Sequence, residues 1–325
     1  MRAVLCTTPG SVRDLAVATM PSLSVPDNGA RVIVEAAGVN YVDALFVEGR
    51  YQIKPNPPFT PGSEVAGRIG EVGPEWSGPA VGTRVLVSCG MGGYATEVIA
   101  RPGQAVPIPE QLSAPAAACF TQSYATALFA LRTRAHLAAG ERVLVLGGGG
   151  GVGLAAIQVA TALGATVIAQ GSTQEKREAA HRAGAAITIG GDATTLKDDV
   201  RGSLDGGVDV VIDPVGGAFT GQALRTLRDG GRLAVIGFVA GPIPEIPTNQ
   251  ILLRNRSVVG VDWGIWAMTN PAAQGALLSQ LLTMVEEGSL TPAEPTLFSL
   301  DDAALALLAL QERRVVGKIA LSVSE

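Results

Sequence analysis

Residues 143–174 read VLVLGGGGGVGLAAIQVATALGATVIAQGSTQ and constrain the fold more than any other part of the chain. Val143–Leu146 has the apolar continuity of a strand buried on both faces. Five glycines follow, Gly147–Gly151, then a helix whose first turn carries Val152 and Gly153. After Gly164 comes a second apolar strand, Thr166–Ala169. Gly148, Gly150 and Gly153 satisfy G-x-G-x-x-G in the setting that pattern needs, after a strand and at the opening of a helix. There the glycines let the chain turn sharply, let a pyrophosphate approach the backbone and let the helix pack closely on the strand. The anion then rests on the free N–H groups of the helix N-terminus. The segment is expected to hold a dinucleotide, with Gly148, Gly150, Gly151, Val152 and Gly153 at its phosphates.

The same stretch is long and uncharged, so a membrane span has to be weighed. Five glycines at about 1 kcal/mol each in a helix interior make a continuous helix a poor reading, and Gly164 divides what remains. Met1–Cys6 is already strand-like, without a charged n-region and apolar h-region. The expectation is a soluble, cytoplasmic protein with no membrane partner. A net charge of −5 argues against nucleic acid as the main partner. Cys6, Cys89 and Cys119 are scattered and odd in number, which suggests no disulfide framework. They read as small buried residues in a reducing compartment.

Beyond the glycine loop, Val152, Ala156, Val159 and Leu163 recur at helical spacing. The chain then alternates: a helix over Gln174–Ala183, a strand at Ala186–Ile189, a helical region around Thr195–Leu204 and a strand at Val208–Ile212. A helix over Gly217–Arg228 and strands at Arg232–Ile236 and Ser257–Val261 complete the series. Such alternation demands a parallel sheet with helices on both faces, because parallel strands need crossovers. The predicted fold class is therefore α/β, a Rossmann-type doubly wound sheet whose ligand lies at the carboxyl ends of its strands.

The first 110 residues read differently. Short strands at Arg2–Cys6, Arg31–Val39, Val65–Val72, Arg84–Ser88 and Tyr94–Ala100 are separated by turns such as Pro9-Gly10 and Pro61-Gly62. They suggest a small, mostly antiparallel β-barrel. At the other end, Ser299 and Asp302 stand in capping positions before an Ala/Leu-rich helix. Lys318–Val323 is a last strand able to return to the barrel. A chain of 325 residues has room for both cores. The expected division is 1–120 with 263–325 for the barrel-like domain and 121–262 for the dinucleotide domain, with the substrate cleft between them.

The end of the second strand speaks to the cofactor. A protein that grips the adenosine 2′-OH of NAD usually places Asp or Glu there. This chain has Gln170-Gly171-Ser172, with Lys176 and Arg177 a few residues on. A 2′-phosphate favours charge-assisted donors of this kind. Gly171, Ser172 and Lys176 are thus expected to hold NADPH, although Lys176 and Arg177 also suit an ordinary solvated helix face.

Motifs spread along the chain resemble the medium-chain dehydrogenase/reductase superfamily, and within it the zinc-free quinone oxidoreductase branch related to zeta-crystallin. They are GVNYVDALFVEGRY (38–51), PGSEVAGRIGEVG (61–73), YATA (124–127), the glycine loop, DVVIDPVGG (209–217), GGRLAVIGF (230–238) and SVVGVDWG (257–264). The resemblance implies a GroES-like barrel domain built from both termini, a Rossmann-type middle and a homodimer. It also implies which zinc ligands are missing. The catalytic cysteine of the zinc alcohol dehydrogenases corresponds to Asn40, and their PGHE histidine to Ser63. The chain's two histidines, His136 and His181, lie elsewhere in sequence, so no metal is expected.

By the same resemblance Asn40, Asp43 and Tyr51 line the nicotinamide side, with Tyr51 able to donate its O–H to a developing oxyanion. Loop capping is the other reading of Asn40 and Asp43, and packing the other reading of Tyr51. Relatives carry tyrosines where this chain has Leu45 and Gly191. Further cofactor contacts carried over are Thr126, Phe238, Val239, Val261, Asp262 and Trp263. Trp263 and Trp266 form either an apolar substrate wall or domain-interface core. The expected activity is hydride transfer from NADPH to a small quinone or α,β-unsaturated carbonyl, acceptors that need little beyond orientation and exclusion of water. One alternative is an enoyl or acryloyl thioester reductase using Arg50, Lys54 and Arg254 for a CoA diphosphate. Another is a nucleotide-binding protein without turnover.

Overall fold

In a computed structural model describing residues 1–323, the chain forms two compact units. One is Met1–Gln122 with Pro292–Glu325, the other Ser123–Thr291.

The first unit is built on a seven-stranded sheet. Its spine is the long strand Ala30–Val39, which pairs antiparallel with Glu64–Val72 along one side. On the other side its first half pairs with Glu97–Ala100 and its second half with Ile319–Ser322. The C-terminal strand thus returns to the N-terminal sheet. Register shifts between Arg31 and Val32 and between Val34 and Ala36 mark bulges, which bend a strand and let a sheet curl. Arg84–Ser88 and Ala105–Pro107 extend the sheet beyond Glu64–Val72, and Thr296–Ser299 joins Ile319–Ser322 in parallel. The core gathers Val32, Val34, Ile69, Val85, Val87 and Leu321 from the strands and Leu307 from the helix Ala303–Gln311.

The second unit is a six-stranded, wholly parallel sheet. Its spatial order is Ile187–Ile189, Thr166–Gln170, Arg142–Val145, Val208–Asp213, Leu227–Val235, Ser257–Gly260. The order reverses between Arg142–Val145 and Val208–Asp213, the switch point where doubly wound sheets bind ligands. Leu144, Ile168, Val211 and Leu233 from the strands pack with Leu196, Val200 and Leu224 from the helices Leu196–Ser203 and Ala218–Thr226.

One expectation is corrected. The fifth strand begins at Leu227 rather than Arg232, and the expected break at Gly230-Gly231 is a register shift inside it. Residues 263–291 pack within the second unit. Trp266 packs its ring on Phe129 with centroids 4.6 Å apart, and the Thr291 backbone holds both ends of the Gln158 amide. The helix Pro271–Glu286 buries Leu277, Leu278, Leu281, Leu282 and Val285. Among the described residues no helix is long and apolar enough to cross a membrane.

Candidate active site

In the parallel sheet, most of the residues singled out for the cofactor follow the carboxyl ends of strands and are tied to one another along that edge. Leu146 N–H donates to Ile212 O at 3.0 Å and Gly148 N–H to Gln170 O at 2.7 Å. Val239 and Ala240 donate to Pro214 O and Val215 O, and Val261 N–H donates to Val235 O. The helix Gly151–Ala162 opens at this edge. Gly150 precedes it without any side chain to cap the first turn, which leaves the N–H groups of Gly151, Val152 and Gly153 without intrahelical acceptors. A Cβ on Gly153 would stand 2.2 Å from Gly147 O, so only glycine permits this approach of helix to loop.

The second strand brings its polar end to the same loop. Gln170 is buried, accepts from Gly147 N–H at 3.3 Å and donates toward Gly191 O. Thr173 caps the helix Gln174–Arg182 by accepting from Lys176 N–H. Arg177 donates to Gly171 O at 3.0 Å, while Ser172 is exposed. Lys176 runs its stem past Gly149, where an added Cβ would meet the lysine Cβ at 2.4 Å. This rim presents backbone N–H groups, a hydroxyl and a lysine, with no carboxylate at the strand end. Its chemistry fits a dinucleotide that carries an extra phosphate.

Other predicted contacts divide. Phe238 is partly exposed just past the Leu227–Val235 strand, and Thr126 and Val261 are buried. Asp262 instead caps the helix Trp263–Thr269, accepting from Ile265 N–H at 3.2 Å. Trp263 is buried with its indole N–H on Gln274 Oε1 at 2.8 Å. Together with the Trp266–Phe129 contact, this makes the tryptophan pair part of the second unit's own packing.

In the first unit, Asn40 and Asp43 are bonded to each other, and Tyr51 packs on Phe46. Asn40 precedes the helix Tyr41–Val47, and Asp43, in its first turn, reaches back to Asn40 N–H at 2.8 Å. Asp43 is wholly buried and also accepts from the Tyr94 hydroxyl at 2.9 Å. Asp43 thus caps the first turn of this helix. Burial pushes its pKa up from 3.8 to about 7, against the lowering effects of Asn40 N–H, Tyr94 and Lys318. Oδ1 is buried without a partner; a neutral carboxyl costs less there than a bare anionic oxygen. Tyr51 is half-buried, edge-on to Phe46 with ring centroids 4.7 Å apart.

Sequence reasoning left out the groups that fix Asn40. Its Nδ2 donates to Glu64 Oε1 at 2.9 Å, and its Oδ1 accepts from Lys318 Nζ. Lys318 also donates to Glu64 Oε1 and Val39 O, each at 3.3 Å. Glu64 Oε2 accepts from Gln122 N–H at 2.9 Å, and Gln122 Nε2 donates to Ser63 Oγ at 3.1 Å. Burial lowers the Lys318 pKa, but Glu64, Cys119 and Asp43 outweigh it, so the ammonium is held above its ordinary value. Two signals pointed to this network: a carboxylate opening the VAGRIG strand and a cation opening the IALSV strand.

Sequence comparison now decides the family. Residues 26–110 match the alcohol dehydrogenase GroES-like domain, and residues 151–277 match the domain described as zinc-binding dehydrogenase. Quinone oxidoreductase-like protein 2 of Bos taurus is 38% identical over 324 residues, covering 99% of this chain and 92% of that protein. The chain belongs to the quinone oxidoreductase-like branch of the medium-chain dehydrogenase/reductase superfamily. It is an enzyme of that type. Quinone oxidoreductase of Sus scrofa is 34% identical over 86% of this chain and 84% of that protein. A mycobacterial protein, Rv1454c, solved in complex with NADPH, has a TM-score of 0.91 at 29% identity, covering 99% of this chain and 100% of that one.

The zinc in one domain's description does not suit the residues present. Asn40 and Ser63 stand where the resemblance places zinc ligands, and the neighbouring carboxylate, Glu64, is already bound to the Lys318 ammonium. His136 and His181 are both exposed in the second unit. Among the described residues, no group of three or more His, Cys, Asp or Glu is placed to hold a metal ion.

Proposed function

We propose that this enzyme is an NADPH-dependent, zinc-independent reductase acting on a quinone or an α,β-unsaturated carbonyl. The observation that carries the reading is the rim of the parallel sheet, an uncapped glycine-rich helix start beside Lys176 with no carboxylate at the second strand's end. On this reading Gly148, Gly150, Gly151, Val152 and Gly153 hold the pyrophosphate. Gly171, Ser172 and Lys176 hold the 2′-phosphate, and Thr126, Phe238, Val239 and Val261 meet the nicotinamide half. NADPH, when bound, supplies a hydride from nicotinamide C4.

The chain's own residues then bind, orient and exclude water, which suffices for acceptors as reactive as quinones. Asn40 is a group held in one orientation, because both ends of its amide are engaged by Glu64 and Lys318. Asp43 serves it indirectly, through the Asn40 N–H. Tyr51 offers its hydroxyl to the oxyanion that develops on the acceptor, with its ring packed on Phe46. The names of the relatives support the acceptor class, and the reading extends to a cytoplasmic homodimer. Of the three cations named for the thioester alternative, Lys54 is exposed and the other two are paired. Arg50 pairs with Glu48, and Arg254 pairs with Asp229 at the edge of the parallel sheet opposite the glycine loop.

The test is acceptor choice. NADPH consumption by the purified protein is followed with an ortho-quinone and with a short enoyl-CoA. Turnover of the quinone supports the proposal; turnover of the thioester alone moves the function to enoyl reduction.

A further inference from the structure

A basic cavity in the second unit lies away from the glycine loop. It has a volume of about 350 Å³ and is lined by Lys197, Arg201, Arg225, Arg254 and Arg256, with Gln250 and Leu253. Arg256 sits at the start of the strands, donating to Leu227 O at 2.6 Å, and Gly230 N–H donates to Arg254 O at 2.8 Å. The glycine loop follows the opposite, carboxyl end of the parallel sheet. With strands such as Val208–Asp213 rising about 3.3 Å per residue, the two edges are separated by roughly 20 Å. The dinucleotide and this cavity therefore occupy different sites.

Its charge is not neutralised from within. Arg254 pairs with Asp229 at 3.1 Å and Lys197 lies 3.7 Å from Asp198. Arg201, Arg225 and Arg256 have no carboxylate partner among the described residues. Arg201 and Arg225 stand in the last turns of their helices, where the dipole offers about half a negative charge each. Arg256 donates to Gln250 O at 3.4 Å as well as to Leu227 O, so its two Nη groups end on backbone carbonyls. Arg256 is nine-tenths buried, and its Nε has no partner. Burial pulls its pKa down, and Arg254, Arg201 and Arg225 pull it further, opposed only by Asp229. The Gln250 Oε1 is also buried without a partner.

We infer that this cavity is a second ligand site, for a compact diphosphate group, free or carried by a nucleoside. Arginine guanidinium groups match phosphate oxygens in paired hydrogen bonds, and five converging cations, three of them without a carboxylate partner among the described residues, make such a site. The volume is at the small end for ligand pockets. Leu253 is its one apolar wall, so recognition falls on the phosphates rather than on a stacked base. The inference does not depend on the acceptor of the reductase.

The test is calorimetric titration of the full-length protein with inorganic pyrophosphate and, separately, ADP, at low salt and with NADPH present to occupy the glycine loop. Both are expected to bind. Arg201 and Arg225 are exposed, so R201A/R225A should keep the fold, verified by circular dichroism. It should weaken pyrophosphate about tenfold or more, as loss of charge-assisted bonds predicts. Equal affinities for the two probes mean that the diphosphate alone is read; tighter ADP means that the nucleoside is held as well. Absence of binding, binding unaffected by R201A/R225A, or tighter binding of a single-stranded oligonucleotide than of either probe would overturn the assignment.

Discussion

Lys176 packs its aliphatic stem against Gly149, so closely that a Cβ on the glycine would overlap the lysine Cβ at 2.4 Å. The helix Gln174–Arg182 is thereby packed against the glycine loop, with Lys176 at the contact. Glycine at 149 is needed for the lysine's sake as much as for the loop's.

Lys176→Ala should raise the Michaelis constant for NADPH about tenfold, the expected cost of one charge-assisted hydrogen bond. The constant for NADH should hardly move. Steady-state kinetics with both cofactors checks this; equal effects on the two would remove Lys176 from the 2′-phosphate site.

Gly153→Ala places a methyl group 2.2 Å from Gly147 O. Backbone must shift, which costs roughly 1–3 kcal/mol in a packed interior. The melting temperature should fall, and NADPH should cease to protect the protein against unfolding, because the helix start proposed to hold its pyrophosphate has moved. Thermal unfolding with and without NADPH measures both.

The buried acid Asp43 sets a pH dependence whose sign is fixed. Its pKa is raised from 3.8 to about 7 in the folded state, so the folded state binds this proton more tightly than the unfolded chain. Its contribution to stability is fully present below about pH 4 and is lost as pH rises toward 7. Asp43→Asn keeps the shape and removes the titration. Urea unfolding of both proteins from pH 4 to 8 should show the wild type losing stability relative to the variant across that window. A constant difference would contradict the raised pKa.

Lys318→Met strips the ammonium from Glu64, whose side chain is 2% exposed. Breaking a buried pair in this way costs roughly 3–5 kcal/mol. Adding Glu64→Leu should restore part of the loss, since the stranded charge is then gone. Denaturant unfolding of the single and double variants tests it; a double variant no more stable than Lys318→Met would place the role of Lys318 elsewhere.

The parallel sheet was legible because glycine punctuation and apolar runs are local signals. Arg142–Val145, Thr166–Gln170 and Val208–Asp213 fall within a residue or so of the expected strands. The loops at the carboxyl ends of these strands followed from the same signals. Less legible was whatever depends on distant partners. Lys318 and Glu64 are 254 residues apart and read singly as ordinary charges. The same holds for Trp263, whose indole finds Gln274, and for Asp262, whose carboxylate is spent on a cap. An apolar helix such as Pro271–Glu286 does not announce in its sequence which core receives it.

The most direct test of the central claim is the ratio of kcat/KM for NADPH to that for NADH, measured with an ortho-quinone acceptor in excess chelator. The account predicts turnover undiminished by chelator, with NADPH preferred by about tenfold or more. Loss of turnover in chelator, or equal use of the two cofactors, would contradict it.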